Sequence, residues 1–312
     1  MTTFVSSATN WVAGALEMPD AWIAKGAELT SLVVAPAYEP FDALAGPSIR
    51  TAFANLGLPK HPMSAKLPLM EPVPVVFSVV GYLVTLAILY AVGKGLGKLS
   101  MRSFATVHNL FLFLLSLYMC VGIAATAVAS GFSVWNNAVQ ESSPTKPNPN
   151  AWRMAKLVWI FYVSKIPEFL DTVIMVLKQN YRQVSFLHLY HHGTIFVIWF
   201  IVVREAPGGD AYFSAMLNSG VHVVMYLYYF LSIAGGDKIR KVIGRVKFYI
   251  TYMQMAQFSM NVMQSCFDLY VVDRTQYPAH LIRLLFYYML TLLALFGNFL
   301  IQNKFAKKSK DE

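Results

Sequence analysis

The chain has 312 residues, of which 56% are hydrophobic and only 13% charged. A soluble domain carries about 25% charged residues, so lipid is the expected solvent, and a water-soluble globule, a disordered or collagenous chain and a nucleic-acid-coating protein are excluded. The net charge of +9 comes from lysines and arginines in short stretches between apolar runs, where they meet lipid headgroups or an anionic substrate; no nucleic acid is expected as a partner.

Residues 1–70 are a mixed segment of short apolar pieces broken by Pro36, Pro40, Pro47 and Pro59, expected in the lumen or on the membrane surface. The first twenty residues lack a basic n-region and a continuous apolar run, so they do not read as a cleaved signal peptide. Residues 71–303 are expected to be all-α, a polytopic membrane domain of seven transmembrane helices enclosing a polar chamber. The helices fall near residues 72–93, 107–131, 155–177, 185–203, 212–234, 246–271 and 281–302, each long enough for roughly 30 Å of hydrocarbon at about 1.5 Å per residue. Residues 72–93 hold no charge at all, and the second and seventh stretches are nearly as apolar. Residues 142–150 are a polar, proline-bearing loop, and residues 304–312 a basic tail. Cys120 and Cys266 both lie inside apolar runs and give neither a disulfide framework nor metal-ligand spacing.

Orientation follows from the basic residues. Lys94, Lys98, Arg102, Lys178, Arg182, Lys238, Arg240, Lys241, Arg245, Lys247, Lys304, Lys307, Lys308 and Lys310 all fall on one side, fourteen of the twenty-five lysines and arginines. Eight are spread over the other side. With seven spans this places the N-terminus in the lumen and the C-terminus in the cytosol. The tail, Lys308-Ser-Lys310-Asp-Glu312, resembles a dilysine signal that returns membrane proteins to the endoplasmic reticulum; a plain solvated basic end has the same composition.

The middle four spans carry the polar side chains, which persist in lipid only when they face a partner or a cavity. Lys165 and Glu168 are spaced i,i+3 and can neutralise each other, with Asp171 and Thr172 on the same helix. His188, His191 and His192 occupy an arc of about 100° on one helix face. Asn218, His222, Met225 and Tyr229 form one stripe on the fifth span, and Thr251, Gln254 and Gln257 another on the sixth; asparagine and glutamine also glue helices together without doing chemistry. Counted from the basic side, these residues lie within about 20 Å of that edge. Helix glue has no reason to choose one depth, whereas a shared polar chamber does.

Neutral imidazoles suggest metal first. Membrane di-iron desaturases and hydroxylases use the HxxHH spacing but need around eight or more histidines, and this chain has seven. No HExxH helix is present for a zincin, so metal is a minor alternative.

Four strings, read in order, resemble the signatures of the ELO family of fatty acid elongases, the membrane 3-ketoacyl-CoA synthases. They are Lys165-Ile-Pro-Glu168-Phe-Leu-Asp171-Thr172, Gln183-Val-Ser-Phe-Leu-His188-Leu-Tyr-His191-His192, Asn218-Ser-Gly-Val-His222-Val-Val-Met225-Tyr226-Leu-Tyr228-Tyr229 and Thr251-Tyr-Met-Gln254-Met-Ala-Gln257. His108-Asn109 also fits. The resemblance covers about residues 68–305 and leaves residues 1–66 unmatched.

The resemblance implies condensation of a long-chain acyl-CoA with malonyl-CoA to a 3-ketoacyl-CoA two carbons longer, carbon dioxide and CoA, with no further cofactor and no metal. His191 or His192 is the expected nucleophile or acid-base on the acyl thioester, with His188 beside them and Glu168 or Asp171 orienting the ring. His222 and Asn218 are placed to donate to the malonyl-derived enolate. Lys165, Met225, Tyr226, Tyr229, Gln254 and Gln257 are expected to line the substrate. Lys178, Arg182, Lys241, Arg245 and Lys247 are expected to meet the phosphates of CoA. Gln183 resembles the members that extend polyunsaturated chains, and Gly193, Ala215, Ser219 and Gly220 leave room for a bent chain. Expected partners are membrane lipid and the ketoreductase, dehydratase and enoyl reductase of the elongation cycle; a homodimer is left open. Two other classes, a seven-helix receptor or retinal protein and a small-solute transporter, are carried as alternatives, and the first fits the span count. A retinal protein needs a lysine in residues 281–302, where there is none, and a transporter usually shows an internal repeat, which is not seen here.

Overall fold

The structure, a computed structural model, describes Gly14, residues 18–244 and residues 247–311. Among these residues all regular structure is helical. In chain order the helices are α1 (Asp20–Asn55), α2 (Pro72–Leu96), α3 (Arg102–Ala129), α4 (Pro149–Val163), α5 (Lys165–Leu177), α6 (Phe186–Glu205), α7 (Ala211–Ala234), α8 (Asp237–Ile243), α9 (Lys247–Tyr270) and α10 (Ala279–Asp311).

Local signals account for most of the boundaries. Pro72 and Pro149 sit at the first turns of α2 and α4, where a missing N–H costs nothing. Asn148 caps α4 by accepting from the Ala151 N–H at 3.1 Å, and Ser185 caps α6 by accepting from the His188 N–H at 3.3 Å. Gly97, at φ 73°, ends α2 in a conformation that a side chain would resist.

The helices pack as a closed ring. α3 packs on α7, α7 on α9, α9 on α10, α10 on α6, and α6 on the consecutive pair α4 and α5, which returns to α3. α2 lies outside this ring against α5 and α6, and α1 lies against α2. The Leu99 N–H donates to the Leu177 carbonyl and Arg102 to the Ile233 carbonyl, so the basic connections after α2, α5 and α7 meet at one end. The loops around residues 61–71, 133–141, 204–210 and 268–277 meet at the other, through bonds such as His61 N–H to the Arg204 carbonyl.

Five helices are long and apolar enough to cross a membrane: Pro72–Gly93, Arg102–Ala129, Phe186–Glu205, Ala211–Ala234 and Ala279–Gln302. Large apolar side chains are exposed along α2 and α3, among them Leu83, Ile88, Val107, Phe111 and Leu114. Such a surface is stable against lipid and not against water. The chain is a multi-pass membrane protein.

Two expectations of continuity changed. The stretch 155–177 is two helices, broken at Ser164, because Pro167 has no N–H to donate to the Val163 carbonyl and its ring crowds that carbonyl. Conversely, residues 20–55 are one helix of 36 residues that runs through Pro36, Pro40 and Pro47, where short pieces were expected. Spacings of four and seven put the three prolines on one stripe, and all three are exposed. Their missing donors therefore leave the bonds of the opposite face intact; on that face Tyr38 and Phe41 pack edge-on against Phe77 of α2.

α9 is continuous over the expected sixth span but is not among the five apolar helices. Its polar residues follow helical spacing, and Gln257, Asn261, Gln264, Ser265 and Asp268 are all buried in the ring, while Tyr249, Met263 and Tyr270 are exposed. Its polar face is turned into the ring and aromatic and apolar residues are turned out, the reverse of a helix in water.

Candidate active site

The break at Ser164 positions the most buried ion pair of the described residues. Lys165 and Glu168 are 0% and 1% exposed, and the ammonium donates to Glu168 Oε1 at 2.7 Å. Lys165 Nζ also lies 4.1 Å from the centre of the Phe161 ring, a cation–π contact without competing water. On the other side of the carboxylate, His222 Nδ1 of α7 is 3.4 Å from the same Glu168 oxygen. Glu168 Oε2 and His222 Nδ1 have no hydrogen-bond partner, so this group presents unused polar atoms inside the ring.

Asp171 is one turn further along α5, and both of its oxygens are taken. His108 Nε2 donates to Oδ1 at 2.9 Å, and the Tyr226 hydroxyl donates to Oδ2 at 2.8 Å. This arrangement ties α3, α5 and α7 together. It differs from the expected role of Asp171 in orienting the histidines of α6, and Glu168 does not take that role either. Among the described contacts neither carboxylate bonds His191 or His192, because the i,i+3 spacing turns Glu168 toward Lys165 and α7 while α3 and α7 claim Asp171.

The histidines of α6 do assemble. The His188 and His192 rings are 4.3 Å apart and the His191 and His192 rings 5.4 Å apart. His188 Nε2 shares a hydrogen bond of 2.7 Å with Thr172 Oγ1, whereas His192 is buried with its Nδ1 unpartnered. Phe169 stands 6.4 Å from the His192 ring. The α6 cluster therefore combines one imidazole held by a hydroxyl with two whose ring nitrogens make no described hydrogen bond.

The glutamine stripe of α9 reaches α7. Asn218 donates to Gln257 Oε1 at 3.4 Å, and Gln254 lies 3.9 Å from Met225 Sδ. The oxygen of Asn218 has no partner. Tyr226 is buried, while Tyr229, 6.2 Å from it, is 40% exposed. Of the expected phosphate ligands, Lys178 caps the end of α5 and is half-buried, and Arg182 and Lys241 are exposed. Arg245 and the Lys247 side chain lie outside the described residues. Gln183 is exposed in the turn before α6.

Several participants carry no clear sequence signal. Tyr82, in the uncharged stretch 72–93 of α2, bonds Thr172 Oγ1 at 2.8 Å. Asn261 continues the α9 stripe and donates to Ser214 Oγ at 3.3 Å; its i,i+4 spacing from Gln257 was the available clue. At the far end, Asp210 Oδ1 accepts from the backbone and side-chain nitrogens of Asn137 at 2.7 and 2.8 Å, and Asp268 accepts from Asn136 N–H at 2.9 Å. Burial pushes the Asp210 carboxyl above its usual range, against these donors. Among the described residues, no three histidine, cysteine, aspartate or glutamate side chains are placed to hold a metal ion. Both cysteines are free, and neither joins the polar cluster.

Such an arrangement can hold a negative charge next to a buried ammonium and amide, and can offer an imidazole to a carbonyl in a site with little water. Comparison with known proteins gives the same direction. The model of the family described as "ELO: GNS1/SUR4 family" matches residues 67–312. The chain is 47% identical over 304 residues to "Fatty acid elongase 6" of Leishmania major, covering 94% of this chain and 77% of that protein. It is 34% identical over 236 residues to "Very long chain fatty acid elongase 2" of Rattus norvegicus, covering 73% of this chain and 81% of that one. "Very long chain fatty acid elongase 4" of Homo sapiens is 36% identical over 211 residues, 67% of this chain and 65% of its own length. At 94% coverage the Leishmania alignment reaches into the segment before residue 67, which the family model does not match.

Proposed function

From the chain's membership of the ELO, GNS1/SUR4 family, which makes it a fatty acid elongase, a very-long-chain 3-oxoacyl-CoA synthase that condenses acyl-CoA with malonyl-CoA in a lipid environment, we propose how this site performs the condensation. The observation that carries the proposal is the single oxygen of Glu168 that lies between Lys165 and His222, with the His192 ring 6.4 Å from Phe169 of the same helix as Glu168.

His191 or His192 attacks the acyl thioester, forming an acyl-imidazole and releasing CoA as the thiolate, which takes up a proton. Malonyl-CoA then loses carbon dioxide, and the enolate that remains attacks the acyl carbonyl and expels the ring, which regains from solvent the proton it gave up to the CoA thiolate. Lys165, Asn218 and His222 stabilise negative charge on the enolate oxygen, and Glu168, between Lys165 and His222, holds the two in place. No metal takes part in this reading. The polar side chains of α5, α6, α7 and α9 form one chamber, with α4 followed by α5 and also α9 completing a seven-span topology. The exposed basic residues at the same end favour a cytosolic mouth that receives the phosphates of CoA. On the same reading the N-terminus is luminal, the C-terminus is cytosolic, and the lysines of the tail keep the enzyme in the endoplasmic reticulum beside the other enzymes of the cycle.

For substrate we propose 18- or 20-carbon polyunsaturated acyl-CoA. A side chain at Gly193, next to His192 in α6, would meet nothing within 4 Å, so a larger residue fits there without a clash. The central test uses purified protein, labelled malonyl-CoA and acyl-CoA, with acyl-CoA alone as a second arm. An adduct of acyl mass on wild-type protein, absent from the variant that lacks the nucleophile, is the expected result. Carbon dioxide release with no adduct at any time would replace the covalent step by direct condensation.

A further inference from the structure

Tyr82 belongs to α2, a helix outside the ring and outside every motif, yet its buried hydroxyl reaches the reacting cluster. Its ring is stacked on Phe169 with centroids 4.3 Å apart, and its Oη lies 2.8 Å from Thr172 Oγ1. Thr172 Oγ1 lies in turn 2.7 Å from His188 Nε2. Three polar atoms from three helices thus form one line.

The protons in this line can be counted. Thr172 is the only described partner of the Tyr82 hydroxyl, and a buried O–H without an acceptor is destabilising. The arrangement that strands no hydroxyl proton has Tyr82 donating to Thr172 and Thr172 donating to His188 Nε2. His188 is then a neutral imidazole with its proton on Nδ1 and its Nε2 lone pair occupied. Such a ring cannot attack a thioester or accept a proton through Nε2. It can hold the His192 ring, 4.3 Å away, in one orientation.

We propose that Tyr82 is a positioning residue: through Thr172 it fixes the tautomer of His188, which removes that histidine from acyl transfer and aligns its neighbours for it. The inference rests on the reading that imidazoles of α6 carry the reaction.

Tyr82→Phe keeps the stack on Phe169 and deletes only the hydroxyl. We expect kcat to fall about tenfold with KM for acyl-CoA and malonyl-CoA held within about twofold, a loss in the chemical step and not in binding. Thr172→Ser should keep near wild-type kcat and Thr172→Val should match Tyr82→Phe. The double variant Tyr82→Phe/Thr172→Val should be no slower than Thr172→Val alone, because both substitutions break the same line. Wild-type kcat in Tyr82→Phe, or losses that multiply in the double variant, would overturn the relay. If Tyr82→Phe does not fold, the Thr172 pair decides: equal kcat for the serine and valine variants also overturns it. Absence of an acyl adduct on the wild-type enzyme would instead remove the covalent step and leave the relay standing.

Discussion

The Glu168 oxygen that accepts from Lys165 at 2.7 Å also lies 3.4 Å from His222 Nδ1, so one carboxylate on α5 sets the charge around an imidazole on α7. The helix break before Lys165 makes this possible, because it starts a new helix whose first turn points its charged residues into the ring.

Removing Glu168 should therefore harm folding and catalysis by separable amounts. Glu168→Ala leaves a buried ammonium uncompensated and is expected to cost about 3–5 kcal/mol of stability. Glu168→Gln keeps an acceptor for Lys165 and should fold better while losing about a hundredfold in kcat. The pair Lys165→Met/Glu168→Leu should recover most of the thermal stability and none of the activity. Thermal unfolding in one detergent, set beside turnover, reads all three, and recovered activity in the double variant would show the pair to be structural only.

His191→Ala and His192→Ala should leave folded protein in the membrane. The variant lacking the nucleophile should lose more than about tenfold in turnover, roughly 1.4 kcal/mol of barrier. His188→Gln, which can still accept from Thr172, should lose less than either. Steady-state rates normalised to folded protein decide the order, and a variant above about a tenth of wild-type turnover eliminates that residue as nucleophile.

Asp210 offers a pH-dependent test away from the reaction. Its carboxyl is raised by burial, so the wild-type protein loses stability as pH rises from the usual carboxylate range through the raised value. Asp210→Asn can still accept from Asn137 and carries no charge. Its thermal midpoint relative to wild type should therefore improve from pH 4 to pH 7.5. A difference that is flat with pH, or of opposite sign, would show that the charged form is stabilised at this end of the ring.

Topology can be read in sealed microsomes. A tag after Glu312 should be digested by added protease, and a tag ahead of Asp20 should be protected. Protection of the C-terminal tag would reverse the orientation and remove the retrieval signal with it.

Substrate choice is open to direct competition. Palmitoyl-, stearoyl-, γ-linolenoyl- and eicosapentaenoyl-CoA offered together should yield mainly elongated polyunsaturated products. Predominant elongation of the saturated pair would refute the preference, and filling the space at Gly193 with leucine should depress the longer, bent substrates first.

The amino-acid sequence alone determined the solvent, the helical class, the family and the residue types of the site. An 18-residue apolar run and an i,i+3 or i,i+4 polar stripe each express a local period that survives without knowledge of neighbours, which is why Lys165, Glu168, His188, His191, His192, His222 and Gln257 were legible. Tertiary structure decided the pairing. Whether Asp171 faces the α6 histidines or His108 and Tyr226 depends on how α3 and α7 approach α5, a contact spanning 63 residues in one case and 55 in the other. Tyr82 gave no signal because one tyrosine in an apolar helix looks like any lipid-facing aromatic until α2 is set against α5. Pro167 and the prolines of α1 show the limit from the other side: the first broke a helix and the others did not. The difference lies in which carbonyls and neighbours surround each ring, and the sequence period does not encode that.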